Sequence, residues 1–155
     1  MEEKNKKYVI IVLSVLIGIL IGALLVLYFY KNRYEHITTL GSNEIEVLAD
    51  VGFSSEEKYY YVRGWSCILG ETIENVNVAI ILWNEEEQRG YVVPTILEKR
   101  PDVTAHFQDG YNYDNSGFVS YVRKDRIDQC ARYQIFIRYR NNGHDEYKYT
   151  GKVLE

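Results

Sequence analysis

The chain has 155 residues, and its 18 Lys+Arg and 22 Asp+Glu give a formal net charge of −4. This length allows one domain with a short appendage. Residues 31–155 carry 15 basic and 20 acidic residues in interspersed order. No basic stripe could neutralise a run of phosphates, so nucleic acid is not an expected partner.

The first predicted element is an uncharged run of 23 residues, Tyr8–Tyr30. As a helix it would measure about 34 Å at about 1.5 Å per residue, enough to cross a hydrocarbon core of about 30 Å. The run is longer than the apolar region of a signal peptide, and no A-x-A-like cleavage site follows it. The pattern therefore predicts one uncleaved transmembrane helix over residues 8–30, with the lipid bilayer as its environment.

The charges that flank this run predict its orientation. Three lysines lie among residues 1–7, whereas Lys31 and Arg33 follow the run. The excess on the N-terminal side favours a cytoplasmic N-terminus at residues 1–7. The rest of the chain is then expected outside the cytoplasm, held at the cell membrane by a single span.

One face of this predicted helix carries small residues. Ser14, Gly18 and Gly22 recur at every fourth position. Such a stripe allows two helices to approach closely, so it could support a homo-oligomer or contact with another membrane protein. Glycine is also common in membrane helices in general, which is the alternative explanation.

After the apolar run, residues 31–43 show no period and are interpreted as a stalk, and a strand-like pattern extends over residues 44–155. Apolar residues alternate with polar or smaller ones in several short runs, as in residues 76–82 and 133–139. Seven or eight such runs, with almost no helical pattern among them, predict an all-β domain built as a two-sheet antiparallel sandwich.

Two local signals refine this prediction. Asn142-Gly143 separates the last two runs, and both residue types accept the positive φ that a type I′ hairpin turn requires. Pro94 lies within an apolar run, and because it has no N–H to donate, it predicts an edge strand or a bulge.

Two segments taken together resemble a known family. YYVRGWSCILGE, residues 60–71, resembles the "GWA" strand of an immunoglobulin-like accessory module of bacterial surface and glycan-related proteins. RPDVTAHFQDGYNYDNSGFVSYV resembles that module's "R-x-DV … SGF" segment, and the likeness covers residues 57–153. The chain departs from the pattern at Ser66 and Cys67, where Ala and a bulkier apolar residue are usual. The resemblance implies an immunoglobulin-like β-sandwich that often accompanies polysaccharide-handling enzymes, without an activity of its own.

The segment KRPDVTAHFQDGYNYDNSGF, residues 99–118, is the most polar part of the second half. Arg100, Asp102, His106, Asp109 and Asp114 could together form a catalytic or ligand-binding cluster.

The same segment can also be read as a structural corner that joins two sheets. Arg100 and Asp102 would then hold loop backbone through charge-assisted hydrogen bonds, while Val103, Phe107 and Phe118 would fill the core. The spacing of these three apolar residues favours the corner.

No motif predicts a catalytic residue, a metal or a cofactor. The run from Asn112 to Gly117 is similar to the start of an EF-hand loop, but the required glutamate is replaced by Arg123, which leaves only an irregular calcium site at Asp109 and Asp114 as an alternative. The G-x-S-x-G elbow of hydrolases is incomplete because its last glycine is Ile68.

Cys67 and Cys130 could form a disulfide outside the cytoplasm. The loss of chain entropy in the unfolded state would then stabilise the fold by about 4 kcal/mol. The alternative is two separate thiols that act as small core residues.

These observations leave two functions in view. The first is a non-catalytic binding or scaffolding module at the cell envelope, whose partner could be another membrane protein. The second is a module that binds a cell-surface glycan through exposed tyrosines. The candidates for stacking on sugar rings are Tyr59, Tyr60, Tyr61, Tyr111, Tyr113 and Tyr147. One flat platform of outward tyrosines would favour the second function, and an enzyme is the least expected.

Overall fold

A computed structural model describes the backbone of residues 2–31 and 34–155, and the side chains of residue 8 and of residues 11–27 and 34–155. The chain divides into two compact units, which separate between residues 33 and 34. The side chains of the predicted cytoplasmic residues 1–7, and residues 32 and 33 of the predicted stalk, lie outside the described part.

The first unit is a single helix, α1, over Glu2–Lys31. The large apolar side chains of Tyr8 and of residues 11–27 are 52–68% exposed. A Cβ added at Gly18 or Gly22 would meet nothing within 4 Å. Among the residues that the structure describes, no helix meets the length and hydropathy of a membrane span.

The second unit is an antiparallel β domain. Its elements are β1 (Glu35–Ile37), β2 (Leu48–Ser55), β3 (Tyr59–Cys67), β4 (Asn77–Asn84), β5 (Arg89–Glu98), α2 (Pro101–Phe107), β6 (Gly117–Arg123), β7 (Tyr133–Asn141) and β8 (His144–Leu154). The strand order is β2-β3-β6-β5-β4-β7-β8, and β1 pairs with β5. The end strands β2 and β8 also touch, so the sheet nearly closes on itself. The prediction of an all-β domain is confirmed.

The sheet folds into two halves at β5. Residues Arg89–Pro94 pair with β4, whereas Thr95–Glu98 pair with β6. Pro94 therefore lies at the transfer point of a strand that has neighbours on both sides, not in the edge strand or the bulge that the sequence predicted. The missing N–H costs little because the ladder with β4 ends at this residue, and the Thr95 hydroxyl donates to the Val78 carbonyl at 2.5 Å instead.

The main core lies between the three-stranded half (β2, β3, β6) and the four-stranded half (β5, β4, β7, β8). Alternate residues of each strand point inward, as period-two patterning requires. Fully buried members include Val62, Ile80, Phe118, Ile135 and Tyr139.

The predicted stalk is not a stalk in the described part of the chain. Residues 34–43, here called the strap, cross the outer face of the four-stranded half. Ile37 and Leu40 pack on a cluster centred on Ile81, Trp83 and Tyr147. The domain therefore begins at residue 34, ten residues earlier than predicted, because strands β4, β7 and β8 expose apolar side chains on the outer face that need a cover.

The strap is also held at both ends by hydrogen bonds. The Arg123 N–H donates to the Tyr34 hydroxyl at 2.8 Å at one end. At the other end, the Tyr147 N–H donates to the Ser42 carbonyl at 2.9 Å. The Glu44 N–H then donates to the buried Glu146 carboxylate at 2.8 Å, and the chain enters the core at Val47.

The hairpin predicted at Asn142-Gly143 is confirmed, since the two residues have φ values of 50° and 88° and connect β7 to β8. The expectation of almost no helix outside the N-terminal run is corrected by α2 and by two short 3-10 turns, Asp114–Ser116 and Lys124–Arg126.

Candidate functional site

The segment 99–118 folds as a short helix followed by a tightly hydrogen-bonded loop. α2 begins with Pro101, whose fixed φ suits a first helical position. The C-cap residue that follows it, Gln108, adopts a left-handed φ of 52° and donates its N–H to the Thr104 carbonyl. Seven residues without strong apolar periodicity explain why the sequence did not predict this helix.

Arg100 and Gly117 meet where β6 begins. The Arg100 N–H donates to the Asp114 carbonyl at 2.7 Å. A Cβ at Gly117 would lie 2.6 Å from Cγ of Arg100, so a glycine is needed for the arginine to cross the start of β6. The next residue, Phe118, is fully buried in the main core. Arg100 and Phe118, two members of the predicted corner, therefore lie where the segment joins β6, and the purely structural role of the segment stays a prediction.

The other two apolar anchors lie in a second hydrophobic cluster. Val103 is buried there with Cys67, Ile73 and Tyr113, as expected for a residue that fills a core, whereas Phe107 packs only half-buried against it. This cluster is separate from the main core that holds Phe118. Both side chains fix α2 to the end of β3.

Two of the carboxylates considered as ligands serve the loop itself. The buried Tyr113 hydroxyl donates to Asp109 at 2.6 Å, and this bond lowers the pKa of Asp109. Burial, and then the bond to Asp109, raise the pKa of Tyr113 to about 12. The Thr104 hydroxyl donates to Asp114 at 2.6 Å, so Asp114 is half-buried rather than free in solvent.

The remaining polar residues of the segment meet at a cleft of about 380 Å³, lined by Asp50, Trp65, Asp102, Val103 and His106. Asp50 lies opposite Trp65 in the β2–β3 ladder. The indole of Trp65 is half-buried, and the Phe107 ring meets it edge-on at 5.8 Å. The aromatic wall of the cleft is thus held by α2.

The charges around this cleft are mostly negative. Arg100 Nε and Nη2 donate to the two oxygens of Asp102 at 2.9 and 2.7 Å, and this interaction lowers the pKa of Asp102. Asp50 is exposed, and its carboxylate makes no hydrogen bond or salt bridge within residues 34–155, but its charge acts on Arg100, whose pKa is raised first by the bond to Asp102 and further by Asp50. His106 lies on the rim and is exposed.

The cleft continues into the outer face of the three-stranded half. Tyr61 and Tyr121 face each other across β3 and β6, and Ile96 of β5 pairs with Val119. Ile96 is 60% exposed and Tyr121 43% exposed. Within residues 34–155 no segment crosses this face as the strap crosses the other one, although α2 packs on Trp65 at one end.

The tyrosines do not form one flat platform. Tyr59 and Tyr61 are inclined at 55°, and Tyr61 meets Tyr121 edge-on at 72°. Tyr113 and Tyr147 are buried, so their predicted role in sugar stacking is wrong. Tyr60 is half-buried against the main core, whereas Tyr111 is exposed.

The two cysteines are both free, so the disulfide that the sequence allowed is not formed. Cys67 is fully buried and Cys130 is exposed. Burial raises the pKa of the Cys67 thiol to about 12, as expected for an inert core residue. Ser66 beside it is also fully buried, so both departures from the family pattern are interior positions.

Sequence reasoning missed Asp50 and Trp65 as members of the cleft. The signal available was that Trp65 alternates with the inward Val62 and Gly64, which places it on the outer side of β3. Its neighbour Asp50 is supplied by β2, and only the strand register reveals that.

Comparisons with protein-family models, with curated proteins and with solved structures each found no match.

Proposed function

We propose that this chain is a single-pass membrane protein whose β domain lies outside the cytoplasm and acts as a non-catalytic binding or scaffolding module. The membrane part rests on the complete uncharged run Tyr8–Tyr30 in the sequence, five of whose side chains lie outside the described part. Within that part, α1 is continuous through the run.

The proposed domain type is an immunoglobulin-like sandwich of three and four strands. One supporting feature is Tyr133, which lies at the start of β7 and is 1% exposed. Burial raises the pKa of Tyr133 to about 12, and its ring meets the Tyr91 ring edge-on at 5.9 Å. A buried tyrosine near the start of a late strand is a feature of immunoglobulin-like domains.

The observation that carries the binding role is the uncovered outer face of β3 and β6 with the Trp65 cleft at its end. Tyrosine, tryptophan and arginine dominate binding energies at protein interfaces, and all three residue types meet here. A sheet holds these side chains rigidly, so little conformational entropy is lost on binding.

Substituting the most exposed tyrosine of this face tests the proposal. Full-length protein carrying Tyr121→Ala should lose the proteins that co-purify with it in mild detergent after cross-linking. Tyr149→Ala is the matched control, because Tyr149 is 42% exposed but lies on β8. Retention of the same partners by both variants would contradict the proposal. Release of the protein from membranes by alkaline carbonate would contradict the anchor.

A glycan-binding module is the second candidate, and the Trp65 cleft is the observation that favours it. A half-buried indole beside exposed carboxylates could stack on a sugar ring and accept bonds from its hydroxyls. The inclined and buried tyrosines give this candidate less support than the sequence suggested.

A further inference from the structure

The Trp65 cleft combines an aromatic wall with carboxylates on both sides. Asp50 flanks Trp65 on β2, and Asp102 reaches the cleft from the first turn of α2. Carboxylates beside an aromatic face attract a cation in two ways, by charge and through the ring quadrupole. A neutral or anionic ligand would use only part of this arrangement.

The β domain already holds one guanidinium at the edge of this cleft. Arg100 crosses Gly117, which lies opposite Trp65 in the β3–β6 register. Its guanidinium donates three hydrogen bonds to the Asp102 carboxylate. Asp50 makes no salt bridge within residues 34–155, although its charge, after the bond and charge of Asp102, helps to raise the pKa of Arg100. The cleft therefore has one carboxylate already paired and a second available to a ligand.

The net charge of the whole β domain also favours a cationic ligand. Residues 34–155 contain 13 basic and 20 acidic residues, a formal charge of −7. Such a domain attracts basic partners and repels acidic ones before contact is made.

We propose that the Trp65 cleft binds a lysine or arginine side chain of a basic segment in a partner protein, whose apolar residues lie on the adjoining face of Tyr61, Tyr121 and Ile96. This inference rests on the proposed function, since it names the chemistry of the partner at the same surface. The guanidinium or ammonium group stacks on the indole of Trp65 and pairs with Asp50.

The test uses the full-length protein in a neutral detergent and a synthetic nonapeptide of glycine and serine with two arginines. Its twin carries citrulline in place of arginine, which keeps the shape and removes the charge. The indole N–H signals of Trp65 and Trp83 are followed by NMR. Trp83 is 5% exposed beneath the strap and serves as an internal control.

The arginine peptide should shift the Trp65 signal and leave the Trp83 signal in place, with weaker binding at higher salt. The citrulline peptide should bind at least about fivefold more weakly, the factor that corresponds to a modest cation–π contact. Asp50→Asn should weaken binding by a similar factor. Glu87→Gln removes the same charge from the exposed β4–β5 turn and should have no effect.

Equal binding of the two peptides would overturn the proposal, and so would equal effects of Asp50→Asn and Glu87→Gln, or the absence of any Trp65 shift. A shift of Trp65 caused only by a neutral hexasaccharide would also overturn it, in favour of a glycan site. If the arginine peptide does not bind but Tyr121→Ala still loses the co-purifying proteins, the cation-binding cleft is contradicted and the binding role of the β domain is supported. If the peptide binds as expected but Tyr121→Ala and Tyr149→Ala retain the same partners, the binding role of the Tyr121 face is contradicted and the cation-binding cleft is supported.

Discussion

Gly41 of the strap offers a sharp test of how the β domain begins. A Cβ at this position would lie 2.3 Å from Cε2 of Tyr147, whereas carbon atoms in contact are normally about 3.5–4.0 Å apart. The Tyr147 ring is 9% exposed and lies in the cluster that the strap covers. Gly41→Ala should therefore either strain this contact or lift the strap from the sheet.

The cost can be bounded from the structure. Overpacking by one methyl group typically costs about 1–3 kcal/mol. Lifting the strap sets an upper limit, because it exposes the half-buried Ile37 and Leu40, each worth about 1 kcal/mol, and uncovers Trp83. We expect a loss of about 2 kcal/mol, which moves the urea midpoint of residues 34–155 by about 1 M for an m-value near 2 kcal/mol/M.

Urea unfolding and tryptophan emission measure this effect. Gly52→Ala is the matched control, because a Cβ at Gly52 comes no closer than 3.7 Å to any atom and the position lies on an exposed strand. The Gly41 variant should also show red-shifted emission if Trp83 becomes wetter. Equal midpoints and equal emission for the two variants would refute the docking of the strap.

Three further predictions concern the cores and the thiols. Phe118→Ala should lower the free energy of unfolding in urea by about 3–5 kcal/mol, whereas Phe107→Ala should lower it by less than half as much because Phe107 is only half-buried. Equal losses would contradict the separation of the two clusters. A thiol reagent should modify one cysteine of the native protein, Cys130, and two after unfolding; rapid labelling of Cys67 would contradict its burial. Tyr113 ionises near pH 10 when unfolded but near 12 when folded, so the unfolded state loses its proton first and stability should fall between those values. Tyr113→Phe should flatten that part of the pH profile of the melting temperature, and an unchanged profile would contradict the assignment.

The sequence alone determined the features that depend on local pattern. Period-two runs predict strands because alternate side chains of a strand face opposite sides, and Asn142-Gly143 predicts its turn because only a few residue types accept positive φ. The spacing of Val103, Phe107 and Phe118 favoured a structural corner, which stays a prediction, although Phe118 is fully buried in the main core. The ligand-binding cluster predicted in residues 99–118 is smaller than expected, because the Asp109 and Asp114 side chains form hydrogen bonds within the segment itself. A binding role for the rest of the segment stays a prediction.

Only the tertiary structure decided what depends on residues far apart in the chain. The strap looked like a stalk because a run such as KNRYEHITTLGSN has no period, and its docking requires an apolar outer face contributed by β4, β7 and β8. The cleft depends on register in the same way, because Asp50 reaches Trp65 from β2 and Asp102 reaches it from α2. A local pattern records which way each side chain points, whereas the partner across the sheet is set by strand pairing, and that is a property of the whole fold.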